Sequence, residues 1–153
     1  MALMLCLVSI CGFGQLNVQS KEDYTGYKIV DSGFGWEIRY ITSNDNNHGY
    51  YFLGVTDNKF ENTMASVFLG IDKESSIKTI EDLANVKNII KENGGEIVVR
   101  GMNNKATTIF IGAFGSPYMK TDGVAGNSAG LSIITTSNKA RESIIDKINI
   151  FIE

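Results

Sequence analysis

The chain has 153 residues, a formal net charge of −3 and 43% hydrophobic residues, enough material for one domain with a real core. Its 14 Lys and Arg are scattered rather than striped, which excludes a nucleic-acid surface or a face built for anionic lipid. The apolar and aromatic content excludes a disordered tail.

The chain opens "MALMLCLVSICGFGQ". From Ala2 to Phe13 the run is apolar apart from Ser9 and Gly12. It is shorter than the ~20 residues a bilayer span needs and suits the apolar region of a secretory signal over residues 1–14. Gly12 and Gly14 are the small residues before a cleavage site at Gln15. No Lys or Arg precedes the run. The ending "FGQ" resembles bacterial export signals. Both cysteines, Cys6 and Cys11, lie inside this segment. A mature chain without them has no disulfide, no thiol chemistry and no Cys-based metal site. The expected location is secreted or periplasmic, with no stable membrane span once the signal is removed.

Residues 15–26 read as a polar leader, and 27–153 as a single domain. "YKIVD" (Tyr27–Asp31) is a short strand. "FGWEIRYIT" (Phe34–Thr42) alternates, with Phe34, Trp36, Ile38 and Tyr40 on one face and Glu37 and Arg39 on the other. The Asn-rich turn "NDNNHG" leads into "YYFLGVT" (Tyr50–Thr56), whose adjacent tyrosines put one ring outward. "DNKFEN" is a second turn, and "TMASVFLG" (Thr63–Gly70) a fourth strand. The period then changes. Thr79 is the predicted helix cap, with Glu81 and Asp82 in the first turn, and Gly94–Gly95 the stop. "EIVVR" (Glu96–Arg100) and "TTIFIGAF" (Thr107–Phe114) form a hairpin. Gly115–Asn127 reads as a long loop holding the only proline. "LSIITT" (Leu131–Thr136) is predicted as a strand from its β-branched content. A last helix opens at Asn138, with Ile144, Ile148 and Phe151 at helical spacing. The predicted fold is α+β: a mostly antiparallel sheet of about seven strands with two main helices packed on it.

"GNSAG" (Gly126–Gly130) matches G-x-S-x-G, the pattern that presents a hydrolase nucleophile. That chemistry needs a strand before the serine, a helix after it and a base in reach. Here Ser128 follows a loop and precedes a predicted strand, and the single histidine, His48, lies far upstream. Catalysis is therefore not expected; the rival reading is a small secreted serine hydrolase using Ser128 and His48. One histidine also excludes a His-rich zinc centre, neither Asn/Asp-rich turn has calcium-loop spacing, and no phosphate-cradling loop occurs. No metal or other cofactor is expected. Long loops without structure of their own are often functional, so Tyr118, Met119, Lys120 and Asp122 are the candidate ligand-binding residues. The aromatic residues Phe34, Trp36 and Tyr40 read as a buried sheet face; the alternative is a stacking surface for a sugar.

"EIVVRGMNNKATTIFIGAF", a long loop, "LSIITTSN" and a terminal amphipathic helix ending "INIFIE" are similar in layout to PsbP-like domains, and "FGWEIRY" fits their opening strands. The resemblance rests on element order. It implies an α/β/α sandwich and a non-catalytic accessory or binding role, and it transfers no functional residue. The expected function is that of an exported, non-catalytic protein that binds a protein or small ligand. A structural envelope component is the third reading.

Overall fold

The computed structural model describes residues 26–43, 46–55, 64–124 and 128–153. The proposed signal, both cysteines, most of the polar leader and the "DNKFEN" turn lie outside them. The described residues form two antiparallel four-stranded sheets and four helices, not one sheet of seven.

The first sheet is a meander, β1 (Tyr27–Gly33), β2 (Trp36–Ile41), β3 (Gly49–Val55) and β4 (Met64–Gly70), in sequence order. Alternation fixes its register: Ile38 faces Phe52 and Phe52 faces Val67. These residues bury one face. The opposite face is covered as well. Ile41, Tyr51 and Leu53 pack there with Tyr27, Met64, Phe68 and Met102. Both tyrosines of the "YY" pair are therefore fully buried, contrary to the expectation that one points outward. The ring of Phe68 sits 5.1 Å from that of Tyr51.

Helix α1 (Lys73–Ala84) begins six residues before Thr79. Asp72 is its cap: the carboxylate accepts from the Ser75 amide at 2.8 Å, and the Ser75 hydroxyl lies on the Asp72 backbone and carboxylate. These bonds hold the Asp72 carboxyl below its ordinary pKa, the Ser75 side chain acting most. Asn85 breaks the helix, and α2 (Val86–Glu92) follows. Ile80, Leu83, Val86 and Ile90 are the buried stripe.

The second sheet has the order β5 (Glu96–Arg100), β6 (Ala106–Ile111), β7 (Pro117–Thr121) and β8 (Ala129–Gly130). Five residues of the predicted long loop, Pro117–Thr121, are thus strand. Proline is tolerated as the first residue of a strand, where its missing N–H interrupts no ladder. "LSIITT" is not a strand. After the two residues of β8 the chain turns into α3 (Ser132–Thr135). Leu131 and Ile134, three apart, are both fully buried. A helical turn buries that pair on one side, which an extended chain would not, so packing overrides β propensity. Helix α4 (Asn138–Ile150) starts where predicted, its amide at Ala140 capped by the Ser137 hydroxyl. Ile144 and Ile148 enter the core.

The sheets meet at a crossing. The row Ile109–Met119–Ala129 of the second sheet packs on the face carrying Ile38, Phe52 and Val67. Gly54 makes this approach possible: a Cβ there would stand 2.5 Å from Ala129 Cβ and 2.7 Å from Met119 Cε. The edge of β4 is sealed by side chains. The Ser66 amide donates to Thr121 Oγ1 at 2.9 Å, and Thr107 Oγ1 donates to the Ser66 carbonyl at 2.7 Å. All three residues are buried.

Candidate functional site

The proposed catalytic pair does not assemble. Ser128 precedes Ala129, which packs on Gly54 at one end of β3. His48 precedes Gly49 at the other end. Five residues of extended chain separate Gly49 from Gly54, about 17 Å at the rise of a strand. His48 instead sets its Nε2 3.4 Å from the Tyr40 hydroxyl, with the rings edge to face. The helix after Ser128 begins at Ser132, not at the residue after the serine as a nucleophile elbow requires.

The second candidate segment divides between two faces. β7 alternates, so Met119 is fully buried in the core and Thr121 is buried at the seam, while Tyr118 and Lys120 face out. Met119 is therefore a packing residue. Asp122 is exposed just past the strand, its amide donating to the Ala106 carbonyl. The sequence reading missed the company Tyr118 keeps. The pairing places Glu96, Phe110, Tyr118 and Gly130 in one row across all four strands, with Val98, Thr108 and Lys120 in the next. These side chains form the outer face of the sheet.

Phe110 and Tyr118 lie near-parallel, ring centroids 6.3 Å apart and planes within 24°. Val98 stands 64% exposed beside them. Just past this rung, at the tip of the β6–β7 hairpin, Phe114 is fully exposed and holds a left-handed backbone, φ 65°. A bulky residue there is an outlier worth about 1 kcal/mol or more, and its ring buries nothing on the chain in return. On the other side of Tyr118, Gly130 raises no side chain. It leads into an open groove of about 550 Å³ lined by Phe34, Trp36, Ser132, Ile133 and Thr136. Phe34 occupies the two-residue turn between β1 and β2 and is fully exposed, a correction to the buried face predicted for it. Trp36 is half-buried and lies 6.2 Å from the ring of Phe52.

Gly130 joins the two groups, standing opposite Tyr118 in the sheet and lining the Phe34–Trp36 groove, so that Phe110, Tyr118, Gly130, Phe34 and Trp36 form an aromatic track. Hydroxyls of Ser132, Thr136 and Thr108, the Lys120 ammonium and the Glu96 carboxylate fringe it. Isolated apolar residues on a surface need no explanation, whereas a contiguous run with a polar rim marks a contact surface. Among the described residues there is no group of three or more His, Cys, Asp or Glu placed to hold a metal ion, and no helix is long and apolar enough to cross a membrane. No family model, curated protein or solved structure matches the chain.

Proposed function

We propose that the protein is an exported, non-catalytic binding or accessory protein, acting in the periplasm or outside the cell, and that its ligand is a glycan laid along the aromatic track. The observation that carries this is the row Glu96–Phe110–Tyr118–Gly130 opening into the Phe34–Trp36 groove. A pyranose has an apolar face of C–H groups ringed by hydroxyls. Exposed ring faces take the first, and a fringe of hydroxyl, ammonium and carboxylate takes the second. Several rings in line suit a polymer of such units better than a single sugar. The export part rests on the apolar segment Ala2–Phe13.

The test is retention on insoluble polysaccharides (cellulose, chitin and peptidoglycan), with the Tyr118→Ala and Phe34→Ala variants alongside. Each ring is worth about 1 kcal/mol of stacking, so each variant should weaken retention about fivefold. A protein retained by none of these polymers, or a doubly substituted variant retained as well as the parent, refutes the reading. Ser128→Ala should leave retention unchanged. Loss of an ester- or peptide-cleaving activity in that variant would instead support the hydrolase. N-terminal sequencing of the protein recovered outside the cytoplasm should begin at Gln15.

A further inference from the structure

A second concavity lies on the far side of β7 from the aromatic track, at the seam between the sheets. It has a volume of about 320 Å³, within the range of small-molecule sites, roughly 300–1,000 Å³. Its floor is apolar: Leu53, Met64 and Met102. Methionine adapts its shape to what it touches. Its rim carries Arg39, Lys105 and Asn103.

The charges there do not balance. Arg39 is held in place from two sides. Its Nε donates to Glu37 Oε2 at 2.6 Å, and its guanidinium carbon sits 4.1 Å above the ring of Tyr27. That clamp uses one of the five guanidinium donors and leaves the two terminal nitrogens without a partner among the described residues. The Arg39 side chain is only 16% exposed and lines the concavity. Glu37 offsets the charge of Arg39, but among the described residues nothing pairs with Lys105. Among the described residues no carboxylate lines the concavity. Arg100 is not part of the lining: it lies over the ring of Phe68, 4.3 Å from its centroid, and bonds the Asn46 carbonyl. The rim is itself fixed. Asn103, left-handed at φ 56°, exchanges two hydrogen bonds with Asn47, at 2.7 and 2.8 Å. The Ser66 hydroxyl accepts from the Met102 amide at 2.8 Å.

From this arrangement we infer that the seam concavity is a binding site for a small organic carboxylate with an apolar tail. The tail lies on Leu53, Met64 and Met102. The carboxylate meets the free fork of Arg39 and the ammonium of Lys105. Among the residues that line the concavity the one unbalanced charge is that of Lys105, which suits a monoanion, and a planar fork suits two carboxylate oxygens. A phosphate monoester, carrying about −1.5 to −2 near neutrality, would bring more charge than the site offsets. This inference is independent of the aromatic track.

The test is calorimetric titration of the purified protein with octanoate, its neutral amide and octylamine. Octanoate should bind saturably, the amide at least tenfold more weakly, and the amine not at all. Affinity should fall as salt is raised. Lys105→Gln, at an exposed position, should weaken octanoate about tenfold without altering the circular dichroism spectrum. Met64→Trp should fill the floor and abolish binding, while Tyr118→Ala should leave it intact. Absence of octanoate binding at millimolar concentration overturns the inference. So does equal binding of the amide, or a Lys105→Gln variant with parental affinity.

Discussion

The seam at Ser66 makes a sharp prediction because the two hydroxyls that hold it are not equivalent. Thr107 spends its proton on the Ser66 carbonyl, at 2.7 Å. Thr121 accepts from the Ser66 amide, at 2.9 Å, and so its own proton goes to Thr107, 2.7 Å away. Thr121→Val keeps the shape and removes the only acceptor among the described residues for a buried N–H. An unsatisfied buried donor costs about 1–3 kcal/mol, and we expect about 2 kcal/mol. Thr107→Val strands a carbonyl instead. There the Thr121 hydroxyl can turn its proton to the Ser66 oxygen, already 3.5 Å away, and the loss should stay near 1 kcal/mol. Urea unfolding measures the difference. With a slope of about 2 kcal/mol per molar, Thr121→Val should lower the midpoint by about 1 M and Thr107→Val by about half that, both with unchanged slope. Equal losses, or a larger loss for Thr107→Val, would refute the proton assignment.

Three further outcomes are expected. Gly54→Ala should cost about 1–3 kcal/mol by overpacking, since its Cβ would collide with Ala129 at 2.5 Å; thermal unfolding reads it, and a neutral effect would mean that the sheets do not meet there. Phe114→Asn should raise stability by about 0.5–1 kcal/mol, because Asn tolerates the left-handed region and no buried area is lost; a fall in melting temperature would count against the strain at φ 65°. Tyr50 donates to Glu153 at 2.8 Å, and its pKa is pushed up by burial first and by that carboxylate second. The unfolded chain therefore loses this proton first as pH climbs past about 10. The stabilisation is complete below that pH and drains away above it. Tyr50→Phe should flatten stability against pH on the alkaline side, and a curve parallel to the parent's would contradict the coupling.

Elements whose pattern is local were legible in the sequence. The alternation of "WEIRYI" marked its strand, the turn "GMNNKA" marked "EIVVR" as one arm of a hairpin, and Ile144 and Ile148 marked the last helix. What depended on distant contact was not. "LSIITT" looks like a strand until Leu131 and Ile134 are seen to share a helical face. "PYMKT" hid as a loop because its inward positions are Met119 and Thr121, and a buried threonine reads as polar. The cap at Asp72 was masked by the run "KESS", in which Ser75 completes the capping box in place of the usual Glu or Gln. The division into two sheets is written nowhere locally, since it turns on two threonine hydroxyls finding one backbone residue more than 40 positions away. Of the proposed track, Tyr118 and Lys120 lie in the segment that the sequence singles out. Phe110 is not singled out, because its importance lies in standing opposite Tyr118. Phe34 was placed in a strand, where the glycines on either side of it mark a turn.

The sealed edge has a further consequence for how the chain fails. Strand β4 reads "MASVFLG", seven residues without charge or proline. Such a segment is the raw material of intermolecular strand pairing when its edge is bare. Here the guard is not a lysine or a bulge on the strand itself but the neighbouring sheet laid across it. Any stress that lifts that sheet therefore uncovers an adhesive edge while the meander beneath it is still intact, and loss of solubility should precede loss of secondary structure.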